Sequence, residues 1–220
     1  MSGCCCQGFE SMFGDKTARR DLKRYRKKGP SKPTRRLLDA LRREGVEDAS
    51  VLDIGGGVGA IQHELLDSGA ARATGVDASP AYLRAATSEA ERRGHGEQVT
   101  QHEGDFVALA GGIASADIVT LDRVICCYSD VNRLVGRSAE RAHHLYGLVY
   151  PRDAWWTRLA FRLMNLGLRL ARKQFRAYIH PVDAVDGISR SAGLALQTRQ
   201  NVGPIWQVVV YERTAEDLPA

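Results

Sequence analysis

The 220-residue chain has no run of about eighteen uninterrupted apolar residues, which excludes a long bilayer-spanning helix. Its first residues, MSGCCCQGFESMFGDK, have neither a basic leader nor a long apolar core, so secretion is not indicated and a cytoplasmic location is expected. Cysteine is scarce: Cys4, Cys5, Cys6, Cys126 and Cys127 make an odd total in two adjacent clusters. That is a poor disulfide framework for a sequence this rich in apolar residues, and Cys126 and Cys127, after Val124 and Ile125, read as small core residues. The spacing gives no zinc signature, and no metal is expected. Internal repeats and low-complexity linkers are also absent, so one α/β-sized domain is expected.

Charge is present but unevenly placed. Residues 16–43 and 152–176 together hold twenty of the 31 Lys and Arg but only three of the 26 Asp and Glu. An acidic body therefore carries two basic arms, which are either solvated helix faces or surfaces for an anionic partner.

The apolar pattern resolves into alternating elements. A basic helix over 17–28 stops at Gly29 and Pro30, and a second follows Ser31 and Pro33, buries Leu37, Leu38 and Leu41, and ends at Gly45. Strands are expected at 51–54, 73–77, 98–102, 116–121 and 144–150, with helices at 58–68, 80–93 and 131–142 between them. Ser79 caps the helix that opens at Pro80, and Gly94 ends it. Residues 153–173 form an amphipathic helix with Trp155, Leu159, Leu163, Leu166 and Leu170 along one side and Arg158, Arg162, Asn165, Arg169 and Arg172 along another. A short helix at 182–192 and two β runs, 194–200 and 205–213, read as a hairpin, close the pattern. Strand–helix alternation implies a Rossmann-like, doubly wound, mostly parallel sheet.

Residues 51–59, VLDIGGGVG, place glycines where a ligand can lie against bare backbone between a strand and a helix. In a doubly wound sheet the ligand sits beyond the carboxyl ends of the strands. Asp53, Asp77, Asp105 and Asp122 fall at or just after four such ends, so the fold is expected to gather them at one crevice. Asp77, twenty residues after Gly57, is placed to accept ribose hydroxyls, and Asp105 to accept an adenine amino group.

This combination resembles the class I S-adenosylmethionine-dependent methyltransferases over most of residues 50–213. Their DxGxGxG signature is met by Asp53, Gly55, Gly57 and Gly59, their strand-two acid by Asp77, their GD pair by Gly104 and Asp105, and their segment after strand four by LDRVICCYSD. The resemblance implies S-adenosyl-L-methionine as cofactor, held by Asp53, Gly55, Gly57, Gly59, Asp77, Ala78, Asp105, Phe106 and Asp122. It also implies a seven-stranded sheet whose C-terminal hairpin is antiparallel. The division expected is a basic helical arm over 1–45 and a methyltransferase domain over 46–220 with a lid-like insertion at 151–176. That insertion is similar to the corresponding stretch of the magnesium-protoporphyrin O-methyltransferases.

Methyl transfer from a sulfonium is an in-line displacement, for which alignment is the main requirement. Tyr128 is the candidate for a general base, and a histidine pair common in small-molecule relatives is replaced by Cys126 and Cys127. Tyr128, Trp155, Trp156 and Arg158 are candidate contacts for a small, amphipathic or carboxylate-bearing acceptor, with oxygen as the acceptor atom. The helix at 153–173 is otherwise an ordinary helix packed on the sheet, or a peripheral membrane contact. The rivals are nucleic-acid methylation, for which an NPPY or DPPY motif is missing, a nicotinamide-dependent oxidoreductase, since Gly55, Gly57 and Ala60 also fit GxGxxA, and a cofactor-binding protein without chemistry.

Overall fold

The computed structural model describes residues 12–214; Cys4, Cys5 and Cys6 lie outside them. Seven strands form one sheet in the order β3-β2-β1-β4-β5-β7-β6. They are β1 (Ser50–Ile54), β2 (Arg72–Asp77), β3 (Val99–Glu103), β4 (Ala116–Asp122), β5 (Ala142–Pro151), β6 (Leu194–Val202) and β7 (Trp206–Arg213). β1 to β5 are parallel, while β7 runs antiparallel to both β5 and β6. Strand order reverses between β1 and β4, which sets the ligand crevice there. The antiparallel β7 between β5 and β6 departs from the nicotinamide-binding order 3-2-1-4-5-6, and that rival loses its fold support.

The helices are α1 (Asp15–Lys28), α2 (Lys32–Glu44), α3 (Ala60–Leu66), α4 (Pro80–Arg93), α5 (Phe106–Leu109), α6 (Val131–Ala139), α7 (Trp155–Leu170) and α8 (Val182–Ser191). α2 and α3 cover one face of the sheet, packing Leu37, Leu41, Ile61 and Leu65 with Val51 and Ile118. α5, α6 and α8 cover the other, against Leu52, Val119 and Leu121. Neighbouring residues of β1 and β4 thus enter opposite cores, as the strand period of two requires. Gly147 in β5 seats α2: a Cβ there would lie 2.8 Å from Leu37 Cδ1.

The caps expected from sequence are in place. Ser79 Oγ accepts from Tyr82 N at 3.3 Å to open α4, and Gly94 ends it at φ 78°. The helices expected at 58–68 and 131–142 are shorter, because Gly59 is itself the left-handed residue ahead of α3 and α6 stops at Ala139, just before β5. The one-turn α5 had no periodicity to reveal it; Asp105 starts it by accepting from Val107 N at 3.0 Å.

α1 rests on α4. Tyr82 donates to Asp21 at 2.6 Å, and Arg26 reaches Glu89 at 2.7 Å. Burial opposes ionisation of Glu89, but hydrogen bonds from Arg92, Arg26 and Arg93 outweigh it and hold the carboxyl down at about 2.

α7 does not pack its apolar side on the sheet. Trp155, Leu163 and Leu170 are 73%, 60% and 76% exposed, while Thr157 is buried and Phe161, Asn165 and Leu168 are half-buried. The narrower, less apolar stripe faces the protein. Two clasps fix the helix: Trp156 Nε1 donates to Pro204 O at 3.0 Å, and the Asn165 amide exchanges hydrogen bonds with the Ala177 backbone at 2.7 and 2.9 Å.

Candidate active site

A cavity of about 240 Å³ opens at the carboxyl ends of β1, β2 and β4. Its floor is the glycine turn after β1, where Gly55, Gly57 and Gly59 have φ of 65°, 58° and 77°. These left-handed conformations suit glycine, and a side chain at Gly55 would collide with Val124. Gly57 N donates to Asp77 Oδ2 at 3.0 Å, so the acid ending β2 holds the turn that follows β1.

Of the residues expected to bind cofactor, Gly55, Gly57, Asp77, Ala78, Asp105, Phe106 and Asp122 line this cavity. Asp77 Oδ1 also accepts from Ser79 N at 2.8 Å, and burial pushes its carboxyl up against the two backbone N–H groups that favour its ionised form. Asp105 takes the Tyr128 hydroxyl at 2.9 Å, and Asp122 takes Thr34 Oγ1 at 2.6 Å and Arg123 Nε at 2.9 Å.

Asp53 does not join them. It is 1% exposed and lies beneath the turn, accepting from Thr120 Oγ1 at 2.8 Å and Gln62 Nε2 at 3.2 Å. Burial pushes its carboxyl up to about 7, despite those two hydrogen bonds and aided by Asp122 and Asp77. At neutral pH it carries only part of a charge. Three carboxylates, not four, face the cavity. Gly59 also stays outside its lining, as the residue preceding α3.

Trp155, Trp156 and Arg158 lie away from the lining as well. Trp156 is engaged with Pro204 and Arg152, and Arg158 forms an ion pair with Asp153 at 2.5 Å. The chain returning from α7 does not line the cavity either, but it packs on residues that do. Phe175 meets Phe13 edge-on at 5.7 Å, Tyr178 N donates to Cys126 O at 2.7 Å, and His180 Nε2 lies 2.9 Å from Tyr128 O. Tyr25 on α1 is turned to Glu64 and lies under Arg93, away from the cavity lining.

Sequence reasoning missed Phe13, Tyr82, Arg123, Val124 and Leu134 as lining residues. Arg123 is the only cation in that lining among the described residues, and it holds a left-handed φ of 64°. Its carbonyl receives both thiols, Cys126 at 3.4 Å and Cys127 at 3.6 Å, so the cysteine pair braces a strained residue. Its place immediately after the acid that ends β4 was the available signal.

The family profile described as "Methyltransferase domain" matches residues 51–143, which hold the glycine turn and the strand-end acids. No curated protein matches the chain. Among solved structures, magnesium protoporphyrin IX methyltransferase from Synechocystis PCC 6803, with bound SAH, is similar at TM-score 0.70 and 17% identity, over 93% of this chain and 100% of that one. An O-methyltransferase family protein from Burkholderia thailandensis gives TM-score 0.72 at 17% identity, over 96% of this chain and 64% of that one. An O-methyltransferase family 2 protein from Planctomyces limnophilus DSM 3776, in complex with apigenin, gives 0.67 at 17% identity, over 90% and 62%. At such identities the likeness carries the fold. Residues 51–143 match the methyltransferase-domain profile, and the chain built around them has the fold of the class I S-adenosylmethionine-dependent methyltransferases.

Proposed function

We propose that this chain transfers the methyl group of S-adenosylmethionine to an oxygen of a small, amphipathic, carboxylate-bearing acceptor. The observation that carries the cofactor reading is the meeting of Gly57, Asp77 and Asp105 in one cavity beside Phe106. The set fits that cofactor: a bare-backbone turn for the amino-acid end, a strand-end acid for ribose hydroxyls, and an aromatic residue beside an acid for adenine. When bound, S-adenosylmethionine supplies a methyl activated on a positively charged sulfur.

The chain's own residues then have to orient the acceptor and exclude water. Tyr128 donates a hydrogen bond through its hydroxyl to the Asp105 carboxylate, so it serves as a brace and is a poor base. A carboxylate acceptor arrives deprotonated at neutral pH and needs none. Arg123 is a ready partner for an anionic acceptor or for the cofactor's own carboxylate. The contacts of Phe175 with Phe13 and of His180 with Tyr128, both lining residues, support a covering role for the stretch 171–180 in place of the tryptophans.

The test is incubation with methyl-labelled S-adenosylmethionine and separate carboxylate, phenol and RNA acceptors. Label released by mild alkali from a small carboxylate supports the reading. Label in RNA or a phenol overturns the acceptor, and a titration of the cofactor with no heat overturns the whole.

A further inference from the structure

Helix α7 carries an apolar face that nothing in the protein covers. Trp155, Leu159, Leu163, Leu166 and Leu170, spaced 4, 4, 3 and 4, fall in one sector of the helix, and each is at least 49% exposed. Arg158, Arg162 and Arg169 fill an adjoining sector, and all three are exposed. From Ala154 to Val182 the chain has no Asp or Glu, against six Lys and Arg. Large contiguous apolar surface is costly in water and marks a contact. Here Arg162 and Arg169 border it with positive charge, while Arg158 beside them is paired with Asp153.

From this we infer that α7 lies in the interface of an anionic phospholipid bilayer, its leucines and Trp155 among the acyl chains and its arginines at the headgroups. A second copy of the chain is the poorer occupant, because two such helices face to face would oppose Arg162 and Arg169 with no acid on either helix to neutralise them. Crossing the bilayer is also excluded for α7: among the described residues no helix is long and apolar enough. An amphipathic helix with a cationic border suits the interface plane. The clasps at Pro204 and Ala177 tie Trp156 and Asn165 to the body and leave the leucine face free, so that face is presented without unfolding. The chain returning from α7 packs on Phe13 and Tyr128 of the cavity lining, so docking would place the cavity near the lipid surface. Lipid docking does not depend on the methyl-transfer reading.

The experiment is co-sedimentation of the full chain with vesicles of phosphatidylcholine alone and with about 30 mol% phosphatidylglycerol. Binding is expected to the anionic vesicles, to fall with added salt, and to be at least about tenfold weaker with phosphatidylcholine. The triple variant Leu163→Ser, Leu166→Ser and Leu170→Ser should lose binding by about tenfold or more while keeping its circular dichroism, since all three side chains are exposed. Brominated lipid should quench tryptophan emission, and Trp155→Phe should remove most of that quenching. No sedimentation with anionic vesicles, or equal binding by the serine variant, overturns the proposal. So does a stable dimer in light scattering that the serine variant converts to monomer. Heat on titration with S-adenosylmethionine, measured separately, reports the cavity alone.

Discussion

Asp53→Asn is expected to stabilise the protein by about 2–3 kcal/mol more at pH 8.5 than at pH 5. Asp53 titrates near 7 in the fold, against an ordinary carboxylate value of about 4 in the unfolded chain. Between those values the folded chain holds a proton that the unfolded chain has released. This group's contribution to stability is therefore full below about pH 4 and is lost progressively as pH rises from there through 7. Asparagine stays neutral throughout and fills the same space, so the variant escapes that loss. Urea midpoints of both proteins at the two pH values make the comparison, and contributions from other titrating groups cancel in the difference. An equal gap at pH 5 and 8.5 would show that the side chain stays ionised throughout.

Asp77→Ala is expected to weaken binding of S-adenosylmethionine by about 1.5–3 kcal/mol, or roughly ten- to a hundredfold, by isothermal titration. Two losses combine. The carboxylate proposed for the ribose disappears, and Gly57 N and Ser79 N lose the acceptor that joins the end of β2 to the glycine turn. Asp77→Asn should not restore affinity, because one amide oxygen cannot replace both carboxylate oxygens toward two backbone donors. An unchanged dissociation constant in the alanine variant would remove Asp77 from the binding site.

Much of this arrangement was legible in the residues. The turn at 55–59 and the acids at 77, 105 and 122 follow apolar β-rich runs, and a wound sheet can only deliver such positions to one edge. Ser79–Pro80 and Gly94 marked the ends of α4 by local chemistry alone. Asp53 was misplaced because β1 is buried on both faces, so no alternation shows which way a residue in it points. The amphipathicity of α7 was correct, but a moment has no sign relative to the body: its larger apolar side faces outward. Phe13 could not be found, because it reaches the cavity through α1's packing on α4 and not through any motif. Arg123 lay in plain view after Asp122, but its left-handed backbone depends on tertiary contacts around residues 123–127.

The position of β7 has a consequence for how the protein is made. β5 and β6 never touch; β7 lies between them, and Val208, Val209, Val210 and Tyr211 are fully enclosed. On the ribosome, β5 emerges about sixty residues before the strand that completes it, long enough to expose a bare edge capable of pairing with another nascent chain. A premature stop codon before residue 206 would leave that edge permanently open, turning a short deletion into an aggregating product instead of a slightly weakened enzyme.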